Sequence, residues 1–162
     1  MLWACILLPQ LAMDGVQRHR ANPGEPLVLL TGSPQRRVLQ AVNPAARALG
    51  LKPGQSLTAA QTLTRGFATA EYDLAAIERW QQFLAAWAYG FSSQVSVAYP
   101  RTLVLEIESS LGLFGPWPQL EARLRRELPR ARLLFVAHRK ELLDQALATF
   151  RHALREHDFG ER

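Results

Sequence analysis

Hydrophobic and polar positions alternate most clearly over residues 94–115, QVSVAYPRTLVLEIESSLGLFG. Val95 and Val97 have polar neighbours, Pro100-Arg101 supplies a turn, and Leu103, Leu105 and Ile107 then alternate with Thr102, Val104, Glu106 and Glu108. A period of two predicts two strands joined by that turn. Alternate residues of a strand share a face, so Glu106 and Glu108 are expected to point the same way, on the solvent side of a half-buried strand.

The rest of the chain reads as short elements around this pair. An apolar run over 2–8, ended by Pro9, predicts a buried strand, and 10–20 a short helix. Asn22-Pro23-Gly24 is a loop, 27–30 a second strand, Gly32-Ser33-Pro34 a turn and 37–42 a third strand. Asn43-Pro44 opens a helix, with Asn as N-cap and Pro as first helical residue, and Gly50 closes it. Ser56 caps another helix, and 67–70 is a weak strand. Asp73 caps the longest helix, whose apolar residues Ile77, Trp80, Phe83, Leu84, Trp87 and Phe91 recur every three or four positions. That is a core-facing stripe rather than a cofactor box. Residues 116–128 form an amphipathic helix exposing Arg123, Arg125 and Arg126, 133–137 a last buried strand, and 139–155 a last helix. The order predicts a mixed α/β layer fold.

Composition narrows the function classes. The 162 residues are 48% hydrophobic and 20% charged, as in a globular chain of about one domain. The net charge of +5 allows a nucleic-acid partner without requiring one, because Lys and Arg are scattered. Cys5 is the only cysteine, which excludes an intrachain disulfide and suits a reducing cytoplasm. The apolar N-terminus lacks a basic leader and is broken by Pro9, so no export signal is expected. No apolar run approaches the roughly 20 residues that span a bilayer, and no membrane partner is expected.

Chemical motifs are weak. GLKPGQS at 50–56 has the wrong spacing for a phosphate loop and lacks its Lys; helix stop plus turn is the better reading. His19, His138, His152 and His157 have no zinc spacing with one another or with Cys5. There is no GxSxG nucleophile elbow. A two-metal site needs carboxylates converging from several segments, and the first strand offers Trp3, Cys5 and Leu7 beside Glu106 and Glu108. No metal and no cofactor are expected.

Four blocks in order, LWACILLPQLAMD, VLQAVNPAARALGLKPGQSL, FLAAWAYGFSSQVS and LVLEIESSLGLFG, resemble the N-terminal part of a Y-family translesion DNA polymerase over roughly residues 1–120. The chain is most similar to the ImuB branch, a polymerase-like subunit of a bacterial mutagenesis cassette. The resemblance implies an α+β fold: a ferredoxin-like palm with an antiparallel sheet and helices, plus a small fingers element, truncated before the thumb and little finger. Palm-like segments would be 1–24 and 71–130, with sheet strands near 2–8, 94–98, 103–108 and 132–137. Residues 25–70 would be fingers-like. The 131–162 tail would either complete the palm or, through VAHRKELLDQA, represent a fused fragment similar to a superfamily 2 helicase.

Residue by residue, the resemblance sets Cys5 at the metal-binding Asp, Leu7 at the second Asp, Gln10 at the aromatic steric gate and Asp14 at the helix Glu. If Leu105-Glu106 matches the family's Leu-Asp step, Arg101 and Thr102 replace its Asp-Glu pair. The expectation is a polymerase-like protein without catalytic residues. The Tyr-x-x-Arg of the fingers is matched by Pro44-Ala45-Ala46-Arg47; Arg47 either contacts phosphate or solvates its helix. Lys140 falls where a triphosphate-binding Lys follows the last palm strand. The implied role is a cytoplasmic adaptor in translesion synthesis and damage-induced mutagenesis. Its implied partners are DNA, an error-prone polymerase, a recombinase-like accessory protein and the sliding clamp. The competing readings are an active polymerase using Asp14, Glu106 or Glu108, a helicase-related DNA-binding fragment over 131–162, and a remnant without function.

Overall fold

The computed structural model describes residues 2–137. Its elements begin with β1 (Leu2–Leu7), α1 (Leu11–Gln17), β2 (Leu27–Thr31), β3 (Val38–Val42), α2 (Pro44–Ala48), α3 (Leu57–Leu63) and β4 (Ala68–Glu71). They continue with α4 (Leu74–Ala88), β5 (Val95–Ser96) and β6 (Thr102–Glu106). A 3-10 turn at Glu108–Ser110 then leads into α5 (Leu111–Phe114), α6 (Trp117–Glu127) and β7 (Arg132–Ala137). The helix expected over 139–155 lies outside the described residues.

Helix starts follow their local chemistry. Each helix leaves its first N–H groups without intrahelical acceptors, and a short polar side chain supplies one. Asn43 Oδ1 accepts from Ala46 N–H at 2.8 Å, Ser56 Oγ from Ala59 N–H at 3.2 Å, and Asp73 Oδ1 from Ala76 N–H at 3.0 Å. After α2 the chain turns at Gly50 with φ +86°, a conformation an L side chain resists.

The described residues fold as two units, 2–11 with 77–137, and Ala12–Ala76. The divisions fall inside α1 and α4, so the inserted unit begins earlier and ends later than the 25–70 segment expected from sequence.

In the first unit β5, β6, β1 and β7 form one antiparallel sheet in that order. β1 and β5 therefore run parallel with β6 between them, the split β-α-β arrangement of a ferredoxin-like fold. The four strands expected from sequence are the four observed. β7 pairs with β1 along its whole length, from Leu2 opposite Ala137 to Leu7 opposite Arg132. Ala4, Ile6, Leu103 and Leu105, on one face of the sheet, are all fully buried. Burying each of the larger side chains contributes about 1.5–3 kcal/mol.

The α4 stripe differs from the expectation. The buried residues are Ile77, Gln81, Ala85 and Ala88, whereas Phe83 is 59% exposed and Trp80, Leu84 and Trp87 are half-buried. Within α4, Ile77, two alanines and one amide, not the aromatics, occupy the inner line. The aromatics form a flank: Trp80 meets Phe83 edge-on, while Trp87, Phe91 and Phe114 stack in series, with Arg123 over the Phe91 and Phe114 rings. Trp87 Nε1 donates to Glu127 Oε2 at 2.8 Å and ties α4 to α6.

The second unit holds a three-stranded sheet, β3-β2-β4, antiparallel on one side of β2 and parallel on the other. One face carries Val28, Leu30, Leu39, Val42, Ala46, Leu51 and Ala60 in a single apolar cluster, bringing α2 and α3 onto the sheet. The opposite face carries Leu27 and Leu29 with Met13, covered by Val16, Ala68, Ala70 and Tyr72. With both faces covered, β2 is apolar at four consecutive positions rather than alternating.

Candidate functional site at the β1–β6 junction

Register decides which side chains meet here. Directly opposed residues of an antiparallel pair lie on one face, and β1 opposes β6 as Trp3 with Glu106, Cys5 with Val104 and Leu7 with Thr102. One face of the junction thus presents Trp3, Cys5, Leu7, Thr102, Val104 and Glu106. Cys5 and Val104 are buried, packed with Trp3 and Tyr99. Burial pushes the Cys5 thiol up to about 11, so it stays protonated at neutral pH.

The turn before β6 is held from inside. Gln81 Nε2 donates to the carbonyls of Tyr99 at 2.7 Å and Thr102 at 2.9 Å, and its Oε1 accepts from Arg101 N–H at 3.0 Å. Thr102 N–H donates to Tyr99 O at 3.3 Å, closing a four-residue turn with Pro100 and Arg101 at its centre. Arg101 has φ +53°, the single non-glycine residue in the left-handed region among those described. Leu8 N–H reaches back to Arg101 O at 2.9 Å and joins the end of β1 to the same turn. Thr102 is buried, and its hydroxyl donates to Pro100 O at 3.0 Å.

Glu106 corrects the sequence reading. It is buried at 4% exposure instead of facing solvent, and it does not share a strand face with Glu108, because β6 ends at Glu106. Its Oε1 accepts from Glu108 N–H at 2.8 Å and its Oε2 from Ser109 Oγ at 2.6 Å. Both oxygens are thus committed to opening the 3-10 turn, and Glu108 is an exposed residue of that turn. Among the described residues no three His, Cys, Asp or Glu side chains group in a way that could hold a metal ion.

The other sequence-derived candidates are scattered. Gln10 is exposed just after β1, and Asp14 is half-buried in α1. Arg47 is exposed on α2, and its guanidinium has no hydrogen-bond or ion-pair partner among the described residues. Lys140 lies outside the described residues. Sequence reasoning missed Gln81, and for Asn43 it gave the cap of α2 but not the bonds to Leu27 N–H and Glu25 O. The available signal was an amide at 81 in line with Ile77, Ala85 and Ala88, a polar residue on the inward helical face.

The fold is that of the palm-like region of Y-family DNA polymerases. DinB from Sulfolobus solfataricus superposes with a TM-score of 0.66 at 16% identity. Dbh DNA polymerase superposes at 0.71 and 15% in a post-insertion binary complex, and at 0.67 and 15% in an insertion ternary complex. In each case the match covers 86% of this chain and 43% of the other, so the chain spans less than half the length of these structures. Residues 16–137 match the impB/mucB/samB family, and the chain belongs to it. The match runs through β7, beyond the 120 residues that carried the resemblance. No curated protein matches the chain.

A polymerase fold of this class implies two divalent cations, and the side chains present can be tested against them. Mg²⁺ takes hard oxygen ligands and prefers carboxylates. Cys5 offers a protonated thiol, Leu7 an alkyl group, Arg101 a cation and Thr102 a hydroxyl already hydrogen-bonded to its own turn. This donor set does not fit a pair of Mg²⁺ ions.

Proposed function

We propose that this chain is the polymerase-like part of a catalytically silent Y-family protein of the ImuB type. It acts as an adaptor in translesion synthesis and damage-induced mutagenesis rather than as a nucleotidyl transferase. The observation that carries this reading is the β1–β6 junction, where Cys5, Leu7 and Thr102 share the face on which carboxylates are needed and Arg101 heads the adjoining turn. Phosphoryl transfer by two metal ions requires acidic ligands that this face does not offer. The lone carboxylate on it, Glu106, is already bonded through both oxygens. DNA is the proposed partner of the chain itself, in keeping with the Dbh complexes it resembles. Error-prone polymerase, recombinase-like accessory protein and sliding clamp are proposed partners of a longer protein of this kind. For residues 132–137, pairing with β1 favours a palm strand over a helicase-derived segment.

Primer extension on an undamaged and an abasic template, with Mg²⁺ and then Mn²⁺, tests the reading. No extended product is expected with either ion. Template-directed extension by the chain, abolished by Glu106→Gln, would establish an active polymerase.

A further inference from the structure

Charge is distributed very unevenly along this chain. Residues 26–70 contain Arg36, Arg37, Arg47, Lys52 and Arg65 and not one Asp or Glu. That stretch alone therefore carries +5, equal to the net charge of the whole chain, and the remaining residues balance to zero. The stretch lies within the unit Ala12–Ala76.

Two clefts of that unit run along α3. One, of about 920 Å³, is lined by residues including Thr58, Gln61, Thr62, Arg65 and Phe67. The other, of about 360 Å³, is lined by residues including Arg36, Thr58 and Gln61. Thr58 and Gln61 belong to both, so the clefts adjoin along α3 as a trough, with Arg36 lining the smaller and Arg65 the larger. Both arginines are exposed, and the guanidinium of neither has a hydrogen-bond or ion-pair partner among the described residues. Arg37, also lining the smaller cleft, is paired with Glu71 and its charge is spent. No carboxylate lines either cleft. The rest of the lining includes hydroxyls, amides and the half-buried ring of Phe67.

We propose that this trough binds the sugar-phosphate backbone of single-stranded DNA. The site is distinct from Arg47, and the inference rests on the DNA-binding reading given above. Seven residues of α3 span about 10 Å, the scale of one or two nucleotides of a single strand. Arginine pairs with phosphate through a planar fork of donors. Uncharged Thr and Gln groups hydrogen-bond sugars and unpaired base edges without repelling the backbone, and an aromatic ring offers a face to an unstacked base. A rigid duplex buries its bases and has less use for such a floor.

The test is fluorescence anisotropy of the full chain with a labelled oligothymidylate of about a dozen nucleotides, over roughly 50–200 mM salt. The double substitution Arg36→Ala and Arg65→Ala is expected to weaken binding about tenfold or more at the low-salt end. It should also flatten the log–log salt slope by about 1.4, two phosphate contacts on a single strand. Thr62→Glu, which sets a carboxylate on the trough floor, should weaken binding comparably. Arg126→Ala on α6 should leave it unchanged. All four positions are exposed, and matching thermal melts confirm intact folding. If the parent binds but the double variant binds equally well, or loses no more than Arg126→Ala, the trough is overturned and the DNA-binding reading stands. Tighter binding of a duplex of equal length than of the single strand would overturn the trough in the same way. If the parent binds no DNA, the DNA-binding reading itself fails.

Discussion

The side-chain oxygen of Gln81 accepts a hydrogen bond from the backbone N–H of Arg101 at 3.0 Å, while its nitrogen serves the carbonyls on either side of the same turn. A single amide thus fixes α4 to the turn that launches β6. Gln81→Leu keeps the bulk but strands a turn N–H and two carbonyls, each costing about 1–3 kcal/mol where water cannot replace the partner. The expected loss is at least about 3 kcal/mol in urea unfolding. A loss below about 0.5 kcal/mol would mean the turn holds its shape unaided.

Arg101 occupies the second central position of that turn with φ +53°, where glycine is the favoured residue. A left-handed L-residue costs roughly 1–2 kcal/mol, part of which glycine returns through its freer unfolded chain. Arg101→Gly is therefore expected to raise stability by about 0.5–1 kcal/mol, read as a higher urea midpoint at unchanged slope. A fall in stability would show that the guanidinium side chain stabilises the fold by more than its backbone strains it.

The architecture was readable because most elements announce themselves locally. Asn43, Ser56 and Asp73 cap the helices they precede, and the alternation on either side of Pro100-Arg101 marks the hairpin. The errors came where tertiary context overrides local pattern. Ile107 continues the alternation, yet the strand stops at Glu106 because that carboxylate captures Glu108 N–H and Ser109 Oγ and starts a 3-10 turn. In α4 the large aromatics look like the core stripe, but the inner line holds Ile77, two alanines and Gln81. The residue types of the candidate site were visible in sequence. What only the fold supplies is their common face: the register that sets Cys5 opposite Val104 and Leu7 opposite Thr102 depends on contacts nearly a hundred residues apart.

Cys5 supplies a pH dependence. Burial raises its thiol from 9.0 to about 11, so between those values the folded protein holds a proton that the unfolded chain releases. The unfolded state then binds fewer protons, and stability falls as pH rises, by up to about 1.4 kcal/mol per pH unit across that window. Below about pH 9 the contribution is constant. Urea midpoints measured from pH 8 to 11 should fall in the parent more steeply than in Cys5→Ala, whose overall stability is lower. Equal slopes would mean the thiol is accessible in the native state, and rapid native-state reaction with a thiol reagent at pH 8 would show the same.

Asn43 makes the corresponding bond set in the inserted unit. It is 1% exposed, and its Oδ1 accepts from both Ala46 N–H at 2.8 Å and Leu27 N–H at 3.0 Å, while Nδ2 donates to Glu25 O at 2.7 Å. One side chain thus caps α2 and satisfies the first backbone donor of β2. Asn43→Ala removes the cap, worth about 1 kcal/mol, and leaves a buried strand N–H unpaired at about 1–3 kcal/mol more. The expected total is about 2–4 kcal/mol. Loss of amide-exchange protection should be concentrated at Leu27 and Ala46. If protection fell equally across β1 and β6, the destabilisation would be global and the role given to Asn43 in holding α2 to β2 would be wrong.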